Sequence, residues 1–159
     1  MKTNLEIIKG IYLGDAQQNA TNLEAVLAPQ FEWREAAGFP YTGSFHNFDE
    51  VAKNLFAPLA TEWTGFRAHV DNFFDAGATI VVTGFYRGTY NKTQRAMEAA
   101  FAHVWTLQNG KIVRYVQCAD TKRFGMLCRA PEACEIMYNA VTITNTMGKL
   151  RDCSRFRNY

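Results

Sequence analysis

The chain has no long uncharged apolar run, no CxxC pair and no stripe of basic residues. Without an apolar run, neither an export leader nor a membrane-spanning helix is expected, and the protein reads as cytoplasmic. The four cysteines, at 118, 128, 134 and 153, are then expected as free thiols of a reducing compartment. The missing basic stripe argues against nucleic acid as a partner. Residues 1–128 carry 12 Lys/Arg against 12 Asp/Glu, and the net charge of +2 comes from residues 129–159. There is also no glycine-rich phosphate loop, dinucleotide fingerprint or metal-spaced His/Cys set, so no cofactor and no metal are expected.

What the chain does have is aromatic bulk: twelve Phe, seven Tyr and three Trp in 159 residues. That suits a fold with an internal cavity, as it suits any compact β-rich core, and the length fits one domain. Thr3 and Glu6 form a T-x-x-E capping box ahead of Leu5, Ile8 and Tyr12 at helical spacing. Thr21 and Glu24 repeat the box before a short second helix that Pro29 ends. Phe31 to Glu35 reads as a first strand, followed by the Gly/Pro-rich connection Gly38 to Gly43. Asn47 with Glu50 starts a third helix with an apolar stripe of Val51, Leu55, Phe56, Leu59 and Trp63, closed by Gly65. Strands are expected over roughly 66–75, 79–90, 95–107 and 111–120. Helices ahead of a long antiparallel meander make an α+β fold over residues 1–128. Residues 129–159 read as a C-terminal extension, partly ordered or packed on a partner subunit, with one more helix at 131–141.

The richest stretch is Ala99 to Asp120. Phe101, His103, Trp105 and Leu107 alternate with small residues, and Asn109-Gly110 is a turn pair that accepts positive φ. A two-residue loop pairs Gln108 with Lys111, placing His103 opposite Val116, with Asp120 on its face and Arg114 facing Trp105. A three-residue loop places His103 opposite Tyr115, with Gln117 on the same side. The pattern leaves both registers open. His46 and His69 read as surface or loop residues without a role.

The chain resembles the SnoaL-like family of the NTF2-like superfamily, which also holds ketosteroid isomerases, limonene epoxide hydrolases and scytalone dehydratases. The likeness rests on Glu32-Trp-Arg-Glu-Ala36, the linker ending Tyr41-Thr-Gly43, the helix start Phe48-Asp-Glu-Val51, and Phe101 through Ile112. It spans about residues 3–124. It implies a strongly curved, mostly antiparallel sheet wrapped round the N-terminal helices, a deep apolar cavity open at one end, and a homodimer. By the same resemblance, His103 falls at the position of an oxyanion-stabilising acid and Tyr12 near a second oxyanion donor. The proton-shuttling base falls on Arg34 or Glu35. Epoxide hydrolases of this type place a carboxylate where this chain has Gln117, and an amide cannot act as a general base.

The expected function is therefore cofactor-free general acid/base chemistry on a small apolar organic molecule, by isomerisation, cyclisation, dehydration or hydrolysis. Glu35 or Asp120 would move the proton, with His103 and Tyr12 or Tyr115 stabilising the developing oxyanion. Trp33, Tyr41, Phe56, Trp63, Tyr86, Phe101, Trp105, Tyr115 and Gln117 are the expected wall of the pocket. The competing reading is a non-catalytic ligand-binding or dimeric scaffold protein on the same fold.

Overall fold

A computed structural model describes residues 2–128. The expected C-terminal extension, its helix and Cys134 and Cys153 lie outside the described residues. Among these residues no helix is long and apolar enough to cross a membrane.

Thr3 caps α1 (Asn4–Gly10) with both bonds of the capping box formed. Helix α2 (Ala16–Val26) starts earlier than its second box suggests. Asp15 is the N-cap, accepting from the Gln18 backbone N–H, and Thr21 lies inside the helix. An Asp two residues ahead of two glutamines is a sufficient cap, so the Thr21 box is not used. Strand β1 (Leu27–Arg34) follows directly, and the two-residue β2 (Ser44–Phe45) pairs with it.

The third helical segment is continuous but not uniform. It runs as α3 (Phe48–Val51), a π-helical stretch Ala52–Phe56, and α4 (Ala57–Glu62). Pro58 has no N–H to donate to Asn54, and just before it the Ala57 N–H reaches back five residues to Ala52. The widened turn carries Phe56 against Trp33, with ring centroids 6.1 Å apart. The helix ends at Glu62, before Gly65, which lies instead inside β3 (Trp63–Ala76) with φ +66°.

The sheet continues through β4 (Thr79–Tyr90), β5 (Arg95–Gln108) and β6 (Lys111–Ala119), and α5 (Thr121–Cys128) follows. The six strands are ordered β2-β1-β6-β5-β4-β3. The β3–β6 meander is antiparallel, and β1 closes on β6 in parallel. The sheet curves over α1 and α2, with Ile8 and Leu23 packed into the core it encloses.

The hairpin register matches neither simple alternative. The turn is the two-residue one, Gln108 opposite Lys111, with Asn109 and Gly110 at φ 51° and 73°. A bulge between Thr106 and Leu107 of the ladder then inserts Val113, so that Trp105 pairs with Tyr115 and His103 with Gln117. The bulge also moves Arg114 opposite Thr106, away from Trp105, where it pairs with Glu32 at 2.8 Å.

Curvature comes from β3, whose pairing with β4 shifts between Thr64 and Arg67 and again between Val70 and Asn72. At both shifts the β3 backbone presses onto β4. A Cβ placed on Gly84 would lie 1.9 Å from the His69 carbonyl oxygen, and one on Gly88 would lie 3.0 Å from the Phe66 Cα. Gly84→Ala therefore forces two backbones apart. It is expected to lower stability by roughly 1–3 kcal/mol or more in urea unfolding. Gly10→Ala meets nothing within 4 Å at the end of α1 and is the control that should leave the midpoint unchanged or slightly raised; equal midpoints for both variants would disprove the close approach.

Candidate functional site

Helices α1, α2 and α3–α4 face the concave side of the sheet across a cavity of about 830 Å³. Its walls are mainly aromatic and aliphatic: Trp33, Phe56, Trp63, Phe66, Trp105 and Leu23 among them. Its buried polar groups come from β4, β5 and β6, from just past β1 and from the end of α1.

From β5, strand alternation buries Phe101, His103, Trp105 and Leu107 on one face. From β6, the same alternation, set by the bulge, buries Tyr115 and Gln117 beside them. From β4 comes Tyr86, and β1 brings Trp33 and, just past its end, Glu35. Tyr12, one residue beyond the C-cap of α1, reaches across to the sheet.

His103 is bonded at both ring nitrogens. Nδ1 is 2.5 Å from the Tyr12 hydroxyl, and Nε2 is hydrogen-bonded to the hydroxyl of Tyr86. Phe101 stacks on the ring at 4.1 Å between centroids. No carboxylate is bonded to it, and burial holds its pKa down to about 3 against the ordinary 6.5. The imidazole is neutral at working pH, so it cannot act as a cationic acid. Burial also pushes the phenols of Tyr12, Tyr86 and Tyr115 well above their ordinary range.

Glu35 is the opposite case. Its Oε1 accepts the Trp33 indole N–H at 2.7 Å, while Oε2 is buried with no hydrogen-bond partner. Burial raises its pKa from 4.5 to about 7, offset in part by the bond from Trp33 and the nearby amide of Gln117. A carboxyl with one free oxygen in an apolar cavity and a pKa near neutrality is equipped to take up and return a proton.

The structure thus brings together Glu35, His103, Tyr12, Trp33, Phe56, Trp63, Tyr86, Trp105, Tyr115 and Gln117 around one cavity. Three expected residues are not on its wall. Asp120 is exposed, 3.7 Å from Arg123 ahead of α5, because the bulge carries β6 past the register that would have turned it inward. Tyr41 is spent as a connector, accepting from Trp63 and donating to Glu62 at 2.9 Å each. Phe101 backs His103 without reaching the cavity surface. Arg34, the alternative to Glu35 as base, is exposed and paired with Glu32 at 2.6 Å. Sequence reasoning missed Arg67 and gave His69 no role as a surface or loop residue, yet both lie on β3 and border the cavity. Strand β3 is an edge strand, alternates weakly and is largely exposed, and its successive residues from Gly65 to Val70 border the cavity.

Residues 15–115 match the SnoaL-like domain family. No curated protein matches the chain. Solved structures do. An NTF2-like protein from Burkholderia thailandensis is 35% identical with TM-score 0.78, the match covering 82% of this chain and 100% of that one. An NTF2-like protein of unknown function from Burkholderia pseudomallei is 28% identical with TM-score 0.72, over 82% and 100%. TerC, co-crystallized with polyporic acid, is 25% identical with TM-score 0.68, over 78% and 96%.

The two buried groups titrate in opposite senses. His103 refuses in the fold a proton that the unfolded chain accepts below 6.5, so its contribution falls as pH drops from 6.5 toward about 3. Glu35 keeps in the fold a proton that the unfolded chain loses above 4.5, so stability falls as pH rises from 4.5 to about 7. Between pH 4.5 and 6.5 the two slopes offset each other, and urea midpoints should form a plateau there. Glu35→Gln removes the second slope and should raise stability at pH 8 relative to pH 5 by about 3 kcal/mol over wild type. Parallel pH profiles for the two proteins would show that Glu35 titrates normally.

Proposed function

This chain belongs to the SnoaL-like family, and from that premise we propose that it is a cofactor-free enzyme moving a proton on a small, largely apolar carbonyl compound. The observation that carries the reading is the buried, unpartnered Oε2 of Glu35 facing a cavity that also presents the Tyr12–His103–Tyr86 cluster.

Ionised Glu35 accepts a proton from a carbon next to the carbonyl. The electrons move into a C–O⁻ enolate, and the oxygen is stabilised by a hydroxyl of the cluster. Return of the proton to a different carbon gives an isomer. Attack of the enolate carbon on a second carbonyl of the same molecule, with the proton passed from Glu35 to the new alkoxide, gives a ring, and departure of a hydroxyl from the neighbouring carbon as water, protonated by Glu35, gives a dehydrated product. Gln117 has no part in the proton transfer, so the chemistry belongs to Glu35 on the β1 side and not to the last strand. The aromatic walls suit a flat, conjugated ligand. TerC, with polyporic acid in its crystals, supports an aromatic oxygenated ligand for this fold.

Solvent deuterium exchange tests the proposal without committing to one product. Cyclic ketones of steroid, terpenoid and hydroxyquinone type are incubated with the chain in D₂O, and label beside the carbonyl is read by NMR. Exchange is expected in at least one, with a rate that climbs through about pH 7 as Glu35 ionises. Glu35→Gln should slow it by about 10²–10⁴-fold. Ligands that bind without exchange, with affinities indifferent to Glu35→Gln, would make the cavity a passive binding site.

A further inference from the structure

Trp33 and Glu35 are two residues apart, at the end of β1 and just past it, so strand alternation turns both inward, 3% and 4% exposed. The Glu35 backbone N–H donates to the Gly43 carbonyl at 3.0 Å, which holds the main chain there as well. Between the side chains, the Trp33 indole N–H donates to Oε1 of Glu35 at 2.7 Å. An indole nitrogen only donates, so this bond has one direction. Oε1 is the accepting oxygen whether or not the carboxyl is ionised. When Glu35 takes up a hydrogen, the carbonyl oxygen, the better acceptor, stays on Trp33, and the O–H forms at the unpartnered Oε2.

What holds the indole is a row of buried aromatic side chains across four strands. Phe45 on β2 pairs with Trp33 on β1, Trp33 with Tyr115 on β6, and Tyr115 with Trp105 on β5. Ring centroids are 4.1 Å apart from Trp33 to Tyr115 and 4.3 Å from Tyr115 to Trp105. The Val113 bulge brings Tyr115 into line; without it Trp105 would face Arg114. From the helical side Phe56, on the π-helical turn, meets the indole edge-on at 89°. Packing from the sheet and from a helix thus keeps the rotamer that aims the N–H at Glu35.

Among the described residues no cation competes for this carboxyl. Arg34, the next side chain along, alternates outward and pairs with Glu32. The other polar groups near Glu35 are the Gln117 amide and the phenols of Tyr12, Tyr86 and Tyr115, all neutral near pH 7. We propose that Trp33 is the positioning residue of the site: locked by the aromatic row, its N–H occupies Oε1 and leaves Oε2 as the single carboxyl oxygen that exchanges a hydrogen with a ligand. The Oε1 half stands on the geometry of the pair. The ligand half rests on Glu35 being the group that moves the proton. Expected only as part of the pocket wall, Trp33 also acts through Glu35.

Trp33→Phe keeps an aromatic ring in the row and deletes the N–H. In the full chain with ¹³C-labelled glutamate, the Glu35 carboxyl signal, identified by its loss in Glu35→Gln, should titrate near pH 7. Removing a donor from the ionised form should move that midpoint upward by about one pH unit in Trp33→Phe. Trp63→Phe deletes another cavity indole, one bonded to Tyr41, and should leave the midpoint in place. In the wild-type chain itself the Trp33 indole N–H signal should shift with the Glu35 midpoint while that of Trp63 stays flat. An unmoved midpoint in Trp33→Phe, equal shifts in both variants, or a flat Trp33 signal overturns the assignment, whatever the chain does in the exchange assay. For the second half, deuterium exchange is followed against pH in wild type and Trp33→Phe, and its inflection should rise with the carboxyl midpoint. An inflection that stays near pH 7 while the carboxyl moves overturns the part given to Trp33 in proton transfer. No exchange by the wild-type chain overturns this half together with the proton-transfer reading, and the carboxyl titration still decides the first.

Discussion

A polar atom taken out of water must be matched or it costs several kcal/mol, and this requirement organises the inside of the sheet. One buried imidazole needs two partners. Those partners are phenols, which need further donors, and these come from an indole, an amide and a backbone N–H. Side chains from β4, β5 and β6 and from the end of α1, with the backbone just past β1, are tied into one pattern in this way. Against that background the free oxygen of Glu35 stands out. Among the described residues it is the sole buried side-chain polar atom with no partner. The fold tolerates an unsolvated carboxylate there, and the same desolvation gives the group a pKa suited to exchanging protons near neutrality.

The elements were legible because their signals are local. The Thr3–Glu6 box, the Asn47 cap, the Asn109-Gly110 turn and the alternation through Phe101, His103 and Trp105 each depend on a few adjacent residues. The register was not legible, because a bulge leaves no mark in composition. Val113 is an ordinary strand residue, yet its insertion decides that Gln117 and not Val116 or Tyr115 lies across from His103. Two misplacements follow from that one residue, Asp120 turned outward and Arg114 moved off Trp105. Arg67 was missed and His69 left without a role for a related reason: β3 shifts register twice, and a strand that breaks its own alternation hides which side chains face in.

Gln117 changes meaning once its bonds are known. As a departure from relatives that keep a carboxylate on the last strand, it read as a loss. In the fold its amide is a converter, taking in a hydrogen bond from the backbone at Ala36 and passing one out to Tyr86. A carboxylate there could accept from Ala36 but, when ionised, would have nothing to donate onward. The amide is therefore compatible with a proton-shuttling group on β1 and not on β6, and the two features, Glu35 and Gln117, are halves of one arrangement.

The tight crossing at Gly84 separates two kinds of control. Its fit against the His69 carbonyl fixes how sharply β3 bends and so the bore of the cavity, using backbone alone. The buried polar groups sit on β4, β5 and β6, just past the end of β1 and at the end of α1, none of them on β3. Bore and reagent are thus carried by different strands. Lengthening or shortening the bulges of β3 would admit ligands of another girth while leaving the donors and acceptors where they are. A scaffold divided in this way can change its clientele without relearning its chemistry.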